Sequence, residues 1–196
     1  MTENELKAAQ QYEATVIAPA AKSSPQFLLC PVGLVGAGKT TVIKPLAERL
    51  SLVRISGDEI RMFLKENGCG YENMLPIAAM VAKKYLAQGH GIAIDSDCAG
   101  NTGQKLIADV QAKMGLKAVW IHINPPESFI ISKLRNFKHT WLFKDGEEAV
   151  ENYIRRKPLH TNLTMPFVYT FDTSRDDIGK QIDKAEKIIR QEIKPI

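Results

Sequence analysis

The sequence has few cysteines, few histidines and no long apolar run. Its three cysteines, Cys30, Cys69 and Cys98, are scattered, which is typical of reduced thiols and speaks against a disulfide framework. The four histidines do not show the spacing of a zinc site. The apolar segment 16–21 is too short for the core of a signal peptide or for a membrane span. We therefore expect a cytoplasmic protein that is not anchored in a membrane.

The chain also has little excess charge. Its 26 Lys and Arg residues against 22 Asp and Glu residues leave a net charge of +4. This charge suits a small anionic substrate or a nucleic-acid end, but it is too weak to indicate binding to a duplex. With 196 residues, of which 44% are apolar, the chain has the size and composition of one ordinary globular domain.

Apolar segments alternate with helical patterns along the chain. The apolar segments are residues 26–32, 52–56, 91–95, 117–123 and 166–171. Strands that are apolar throughout and separated by helices predict an α/β fold, in which a five-stranded parallel sheet is covered by helices on both faces. Residues 1–25 resemble a polar helix followed by a Pro/Ala/Ser linker. We interpret them as an N-terminal extension of a domain that spans residues 26–196.

A glycine-rich loop follows the first predicted strand. Residues 33–40 match the pattern G-x-x-x-x-G-K-[ST], with a strand before and a helix after. Such a loop holds phosphate oxygens with its backbone N–H groups, while Lys39 reaches the terminal phosphates and the Thr40 hydroxyl binds Mg²⁺. We predict that nucleotide is bound by Gly33, Leu34, Val35, Gly36, Ala37, Gly38, Lys39, Thr40 and Thr41.

The second strand leads into an acid and an arginine. Ser56 and Glu59 form a capping-box pattern, which predicts that a helix begins here. Asp58 then lies in the first turn, and Arg61 lies three residues on, on the same face. At the end of a strand, such an acid can deprotonate an attacking hydroxyl and such an arginine can anchor an anionic acceptor. Alternatively, the two residues form an ordinary surface pair.

These elements, together with residues 171–174, resemble P-loop kinases related to zeta toxins and to the 5′-kinase domain of polynucleotide kinase, which are often labelled AAA-family ATPases. The resemblance covers about residues 26–190. It implies a fold of the nucleoside-monophosphate-kinase type with a helical lid. It also implies that Asp58 is the general base and that Arg61 binds the substrate.

Two acids end the third predicted strand. Asp95 is placed to lie near the loop lysine or a Mg²⁺-bound water, and the resemblance supports an acid here. We therefore predict that Thr40 and Asp95 hold the metal. Asp97 either helps to place the acceptor or caps the following helix together with Asn101 and Thr102.

The segment 137–160 is charged and helical in pattern, and we interpret it as the lid. The resemblance implies that lid cations touch the ATP phosphates, with these residues available: Lys133, Arg135, Lys138, Arg155, Arg156 and Lys157. We assign catalytic roles to Arg135 and Arg155, although a solvated basic face explains the pattern too. Asp172 and Thr173 follow the last strand, where they either contact the adenine or form a simple turn.

The sequence therefore predicts an ATP- and Mg²⁺-dependent kinase with a hydroxyl acceptor. A nucleotide, a nucleic-acid 5′ end, a nucleotide sugar and a small alcohol all remain open as acceptors. A nucleic-acid end kinase would need an aromatic-lined basic channel, for which Tyr71, Trp141 and Phe143 are available. A different class of function is an ATP-binding regulatory module with weak ATPase activity. We expect a monomer or a weak homo-oligomer.

Overall fold

The computed structural model describes residues 1–136 and 142–194. The strands are β1 (Phe27–Val32), β2 (Leu52–Ser56), β3 (Gly91–Asp95), β4 (Lys117–Ile123) and β5 (Phe167–Phe171). The helices are α1 (Glu3–Thr15), α2 (Lys39–Arg49), α3 (Gly57–Glu66), α4 (Met74–Ala87), α5 (Asn101–Met114), α6 (Glu127–Arg135), α7 (Gly146–Arg156) and α8 (Ile178–Glu192), with a 3₁₀ helix at Lys157–His160. All five predicted strands are confirmed, and the first and last begin one residue later than predicted.

The strands form one parallel sheet in the order β2-β3-β1-β4-β5. In a parallel sheet all carboxyl ends lie at one edge. The ends of β1, β2, β3 and β5, which the sequence marks with polar residues, therefore meet there. β1 is central, so the glycine loop that follows it lies in the middle of that edge.

Helices cover both faces of the sheet, as predicted. Successive side chains of a strand point to opposite faces, and in β1 Leu28 joins the core under α1, α3, α4 and α5, whereas Leu29 joins the core under α2, α7 and α8. Both side chains are at most 3% exposed. This double burial explains why the central strand β1 is apolar throughout.

The N-terminal helix α1 packs against α3. The ring of Tyr12 is completely buried, and its hydroxyl accepts a hydrogen bond from the N–H of Ser56 at 2.8 Å. Ser56 caps α3 by accepting from the N–H of Glu59 at 3.3 Å, whereas the Glu59 carboxylate pairs with Arg54 and does not complete the capping box. The helix α3 begins where predicted, and the Tyr12 hydroxyl, in place of the Glu59 carboxylate, accepts the hydrogen bond from the N–H of Ser56. The division of the chain at residue 25 stays a prediction.

The described part of the predicted lid is helical. It comprises α7 and the 3₁₀ helix, which follow α6 and lie at the carboxyl edge of the sheet, where Arg156 and His160 reach Asp97 just beyond β3. Residues 137–141, where the predicted lid begins, lie outside the described residues. Within the described ranges, no helix has the length and apolar character that crossing a bilayer requires.

Candidate functional site

The glycine loop connects β1 to α2 at the carboxyl edge of the sheet. Gly36 and Gly38 have φ angles of 80° and 91°, in the left-handed region that favours glycine. A Cβ atom on Gly38 would also lie 3.0 Å from the hydroxyl oxygen of Thr173. Gly38 directly precedes α2, so the loop leads into the positive end of a helix, an arrangement that suits a phosphate group.

Lys39 folds back over the loop. Its ammonium group donates hydrogen bonds to the carbonyl oxygens of Gly33 and Leu34, at 2.8 and 3.0 Å. Burial lowers the pKa of Lys39, and the nearby carboxylates, of which Asp97 has the largest effect, partly offset this shift. The loop therefore holds a partly desolvated cation that a phosphate would pair with directly.

Thr40 and Asp95 meet beside this cation. The Thr40 hydroxyl donates to one carboxylate oxygen of Asp95 at 3.0 Å, and the Arg54 Nε donates to the other at 2.7 Å. The Asp95 side chain is only 2% exposed. Two oxygen donors suit Mg²⁺, which keeps several of its waters and needs few protein ligands. Consistent with so small a donor set, the described part of the chain contains no cluster of three or more His, Cys, Asp or Glu residues that could hold a metal.

Asp97 links the glycine loop to the lid. One carboxylate oxygen accepts from the N–H of Gly33 at 3.3 Å. The other lies 3.1 Å from His160 Nε2 and 3.6 Å from the Arg156 guanidinium. Burial alone would raise the pKa of Asp97, but the hydrogen bond with His160, the charge of Lys39 and the Gly33 N–H together lower it. The first residue of the loop and the end of the lid are thus held by one carboxylate.

The contacts of Asp97 also bear on the alternative that this residue caps the following helix, α5. Asp97 accepts from the N–H of Ala99 at 3.2 Å, and the N-cap of α5 is Gly100, which has no side chain to offer. Asn101 and Thr102 are the first residues of the helix itself and are exposed. Asp97 therefore shapes the turn before α5 and faces the glycine loop.

Asp58 and Arg61 lie near the start of α3, directly after β2. They form an ion pair at 2.7 Å, with the Asp58 side chain 56% exposed and that of Arg61 24% exposed. Asp58 is close enough to Lys39 that its charge raises the pKa of the ammonium group. The structure therefore brings Asp58 towards the loop, and its role as a base stays a prediction.

The turn after β5 is bonded to the glycine loop. The Thr173 hydroxyl donates to the carbonyl oxygen of Ala37 at 2.7 Å. The N–H and carbonyl groups of Asp172 are both bonded to the side-chain amide of Gln181 in α8, at 2.9 Å each. These hydrogen bonds hold Asp172 and Thr173 beside the loop. A turn at this position is therefore compatible with a contact to the nucleotide.

The two lid arginines assigned from the sequence do not touch the loop. Arg135 pairs with Glu147 at 3.4 Å, and Arg155 lies 3.4 Å from the Asn152 side-chain oxygen. Arg156, by contrast, reaches Asp97. The other cations lie elsewhere: Lys157 pairs with Glu127, Lys133 lies over the Phe129 ring, and Lys138 lies outside the described residues. Phosphate contact by Arg135 or Arg155 stays a prediction.

A cavity of about 360 Å³, lined by both polar and apolar side chains, adjoins the first residues of the loop. Gly33 and Leu34 form one wall. The rest of its surface includes polar side chains from β4, from the turn after it, from α6, α7 and the 3₁₀ helix, and from the residue that follows: His122, Asn124, Glu127, Tyr153, Lys157, His160 and Thr161. The lid therefore encloses a space for polar groups directly beside the predicted phosphate site.

A family model described as an AAA domain matches residues 28–156. The chain belongs to this AAA-domain family. No curated protein matches the sequence.

The fold of this AAA-domain protein is that of P-loop kinases of the nucleoside-monophosphate-kinase type. A putative kinase from Chloroflexus aurantiacus is 14% identical and superposes with a TM-score of 0.68, covering 87% of this chain and all of the other. The Mycobacterium tuberculosis APS kinase, in complex with AMPPNP and APS, is 17% identical with a TM-score of 0.60 and coverages of 85% and 98%. A gluconokinase from Sinorhizobium meliloti is 12% identical, with a TM-score of 0.57 and coverages of 87% and 94%.

Three residues of the site were missed by sequence reasoning. Arg54 is a charged residue inside an apolar strand, and that contrast was a signal that it pairs with a buried acid. Tyr12 lies 44 residues from its partner Ser56, and His160 lies 63 residues from its partner Asp97. No local sequence pattern reveals contacts over such separations. Of the aromatic residues considered for a nucleic-acid channel, Phe143 is buried in the core and Tyr71 is 37% exposed, while Trp141 lies outside the described residues.

Proposed function

We propose that this AAA-domain protein is a kinase that transfers the γ-phosphoryl group of ATP to a hydroxyl group of a small acceptor. The observation that carries the proposal is the meeting of the Thr40 hydroxyl with the buried Asp95 carboxylate beside Lys39. Membership of the AAA-domain family and a fold shared with kinases support it. The acceptor hydroxyl is the part of the assignment that the fold leaves open.

In this proposal the loop binds the phosphates of ATP and positions them. Its backbone N–H groups and the start of α2 point at the phosphates, and Lys39 exchanges its two carbonyl partners for phosphate oxygens. Thr40 and Asp95 would hold Mg²⁺, directly or through its waters, and the ion would supply positive charge to the β- and γ-phosphate oxygens. Arg54 then keeps Asp95 in position.

Asp58 acts as the general base for the acceptor. The resemblance of residues 56–61 to the corresponding element of zeta-toxin-like kinases supports this role. The acceptor oxygen forms a bond to the γ-phosphorus while the bond from that phosphorus to the bridging oxygen of ADP breaks, and the hydroxyl proton passes to Asp58. In this proposal Arg61, which pairs with Asp58 in the structure, binds the acceptor.

The test combines an acceptor screen with one conservative variant. Pools of hydroxyl compounds are incubated with γ-labelled ATP and Mg²⁺, and label transfer is followed for wild type, Asp58→Asn and the matched control Asp176→Asn, whose side chain is exposed. We expect Asp58→Asn to keep its ATP affinity and to lose transfer by a factor of about 10² or more. Equal transfer by Asp58→Asn and wild type would show that Asp58 is not the base.

The rival regulatory function predicts a different result. A switch module hydrolyses ATP slowly whether or not an alcohol is added, whereas a kinase stays near its background rate until the acceptor is present. ATP consumption that no hydroxyl pool increases would therefore favour the regulatory module.

A further inference from the structure

A second cavity lies between α4 and α5, on the β3 side of the glycine loop. It has a volume of about 100 Å³, is partly open to solvent, and runs between the two helices over β3. Its walls are formed mainly by aliphatic side chains and alanines: Ile92, Ile94, Ala78, Ala82, Ile107 and Val110. For comparison, an apolar cavity of about 150 Å³ stays dry in water and binds benzene.

One end of this cavity opens at the predicted acceptor site. Gly57, Ser96 and Asp97 line this end, and they lie at the carboxyl ends of β2 and β3. Gly57 directly precedes Asp58, the predicted base. From Met74 to Leu86, both of which line the cavity, α4 rises by about 18 Å. The cavity is therefore long and narrow, and it begins beside the group that would take the hydroxyl proton.

One part of the wall is built from small residues, although a larger side chain would fit there. Ala78, Ala79 and Ala82 of α4 face Gly103 of α5 across the cavity. Gly103 is needed neither for a left-handed backbone nor for a close approach, since a Cβ atom there would meet nothing within 4 Å. Ala78, Ala79, Ala82 and Gly103 are all half-buried, so the small side chains leave an apolar cleft that is open to solvent, and exposed apolar clefts commonly mark binding sites. An open apolar cleft that is lined in part by small residues is thus better explained by a ligand than by packing.

The chemistry of the wall selects an uncharged, apolar ligand. Of the described residues that line the cavity, Lys83 is the single cation, and it belongs to the last part of α4, well away from the loop. At the mouth the charged lining residue is Asp97, an anion, so the described lining offers no cation there to bind a phosphate or a carboxylate. Polar acceptors would instead find partners in the larger cavity beside Gly33 and Leu34.

We propose that this cavity binds the aliphatic part of the acceptor, so that the substrate is an alcohol with an apolar chain and its hydroxyl group lies at Asp58. The proposal rests on the proposed kinase function, of which it specifies the substrate class. Transfer follows the step given above: the alcohol oxygen bonds to the γ-phosphorus, ADP leaves, and the proton goes to Asp58.

Binding is tested with two six-carbon probes, 1-hexanol and sorbitol, by ligand-observed NMR on the full chain. Gly103→Leu fills the cavity, and Gly179→Leu is the matched control, since it too lies near the start of a helix with no atom within 4 Å of a new Cβ. We expect 1-hexanol to bind wild type and Gly179→Leu, and Gly103→Leu to weaken this binding about tenfold or more. Sorbitol should not compete. Ala82→Leu, which narrows the cavity from the opposite helix, should act like Gly103→Leu.

Absence of 1-hexanol binding, or equal binding by wild type and both filling variants, would overturn the proposal. Retained ATP binding by the filling variants shows that they are folded. Transfer from γ-labelled ATP separates the two levels of inference. If 1-hexanol binds as expected but no alcohol is phosphorylated, the kinase function fails and the apolar ligand site stands. If sorbitol is phosphorylated faster than 1-hexanol by wild type and by Gly103→Leu alike, the kinase function stands and the aliphatic substrate class is wrong.

Discussion

The carboxylate of Asp97 offers a direct test of how the lid is tied to the glycine loop. Asp97→Asn keeps the shape and can still accept from the Gly33 N–H, but it removes the charge that faces His160 and Arg156. The side chains of Asp97 and His160 are only 12% and 7% exposed. A hydrogen bond with a charged partner contributes about 1.5–3 kcal/mol. We therefore expect Asp97→Asn to lower the free energy of unfolding by about 2 kcal/mol, or about 4–8 °C in Tm for a chain of this size.

The effect should depend on pH with a defined sign. The pKa of Asp97 is lower in the folded protein than the ordinary value for aspartate. Ionised Asp97 therefore stabilises the fold fully above about pH 5, and this contribution is lost as the pH falls through the lower pKa of the folded state. Urea unfolding at pH 7, 5 and 3.5 should show that the difference in the free energy of unfolding between wild type and Asp97→Asn narrows between pH 5 and pH 3.5.

The matched control for this measurement is Asp109→Asn, since Asp109 is exposed on α5. Its free energy of unfolding should stay within about 0.5 kcal/mol of wild type at each pH. A loss in Asp97→Asn that is no larger than in this control, or that is the same at pH 7 and pH 3.5, would refute the argument that Asp97 holds the lid through its charge.

Further expectations concern the loop and the lid. Thr173→Val removes the hydroxyl bond to Ala37 and should cost about 1 kcal/mol in urea unfolding, while Thr173→Ser should restore it. Arg156→Gln should weaken ATP binding about tenfold in a fluorescence titration, because the loss of one phosphate contact would cost about 1.4 kcal/mol. Arg155→Gln decides between the two arginines: a smaller effect favours Arg156, whereas an equal or larger effect supports the phosphate contact predicted for Arg155. Amides in residues 142–160 should gain protection from hydrogen exchange when Mg²⁺ and a non-hydrolysable ATP analogue are added, whereas equal protection in both states would mean a fixed element.

The variant Lys39→Ala tests nucleotide binding without testing the fold. Because burial lowers the pKa of Lys39, the charged form is disfavoured in the folded state, and removing it should not lower the free energy of unfolding. Detectable Mg·ATP binding should be lost. Wild-type ATP affinity in Lys39→Ala would contradict the assignment of the loop.

The fold could be predicted from the sequence because its determinants are local. Strands buried on both faces are largely apolar, so their ends are visible within one or two residues, as at Phe27–Val32 and Gly91–Asp95. The glycine loop is likewise a continuous motif whose flanking strand and helix are both readable. The order of the strands in the sheet is not written in any local pattern, since it depends on which crossovers pack together.

The contacts around Asp97 could not be predicted, because they join distant parts of the chain. His160 and Gly33 lie 63 and 64 residues from Asp97, and only the packing of the lid over the sheet edge brings them together. In the sequence alone, Asp97 is equally consistent with a helix cap and with a substrate contact. Only the three-dimensional structure shows that Asp97 has partners on both the loop and the lid.

Which lid cation faces the phosphate site is decided by the apolar side of α7. Tyr153 is 2% exposed and packs into the core, so the face of the helix that carries Tyr153 is turned inwards. Residues three and four positions further on lie on the same face, whereas a residue two positions on points away. This rule places Arg156 and Lys157 on the inner side and Arg155 on the outer side, which agrees with their partners, Asp97 and Glu127 against Asn152. The sequence-based assignment of Arg155 depended only on its being an arginine in the lid. The position of the buried Tyr153 relative to the arginines is the signal that favours Arg156 as the candidate for a phosphate contact.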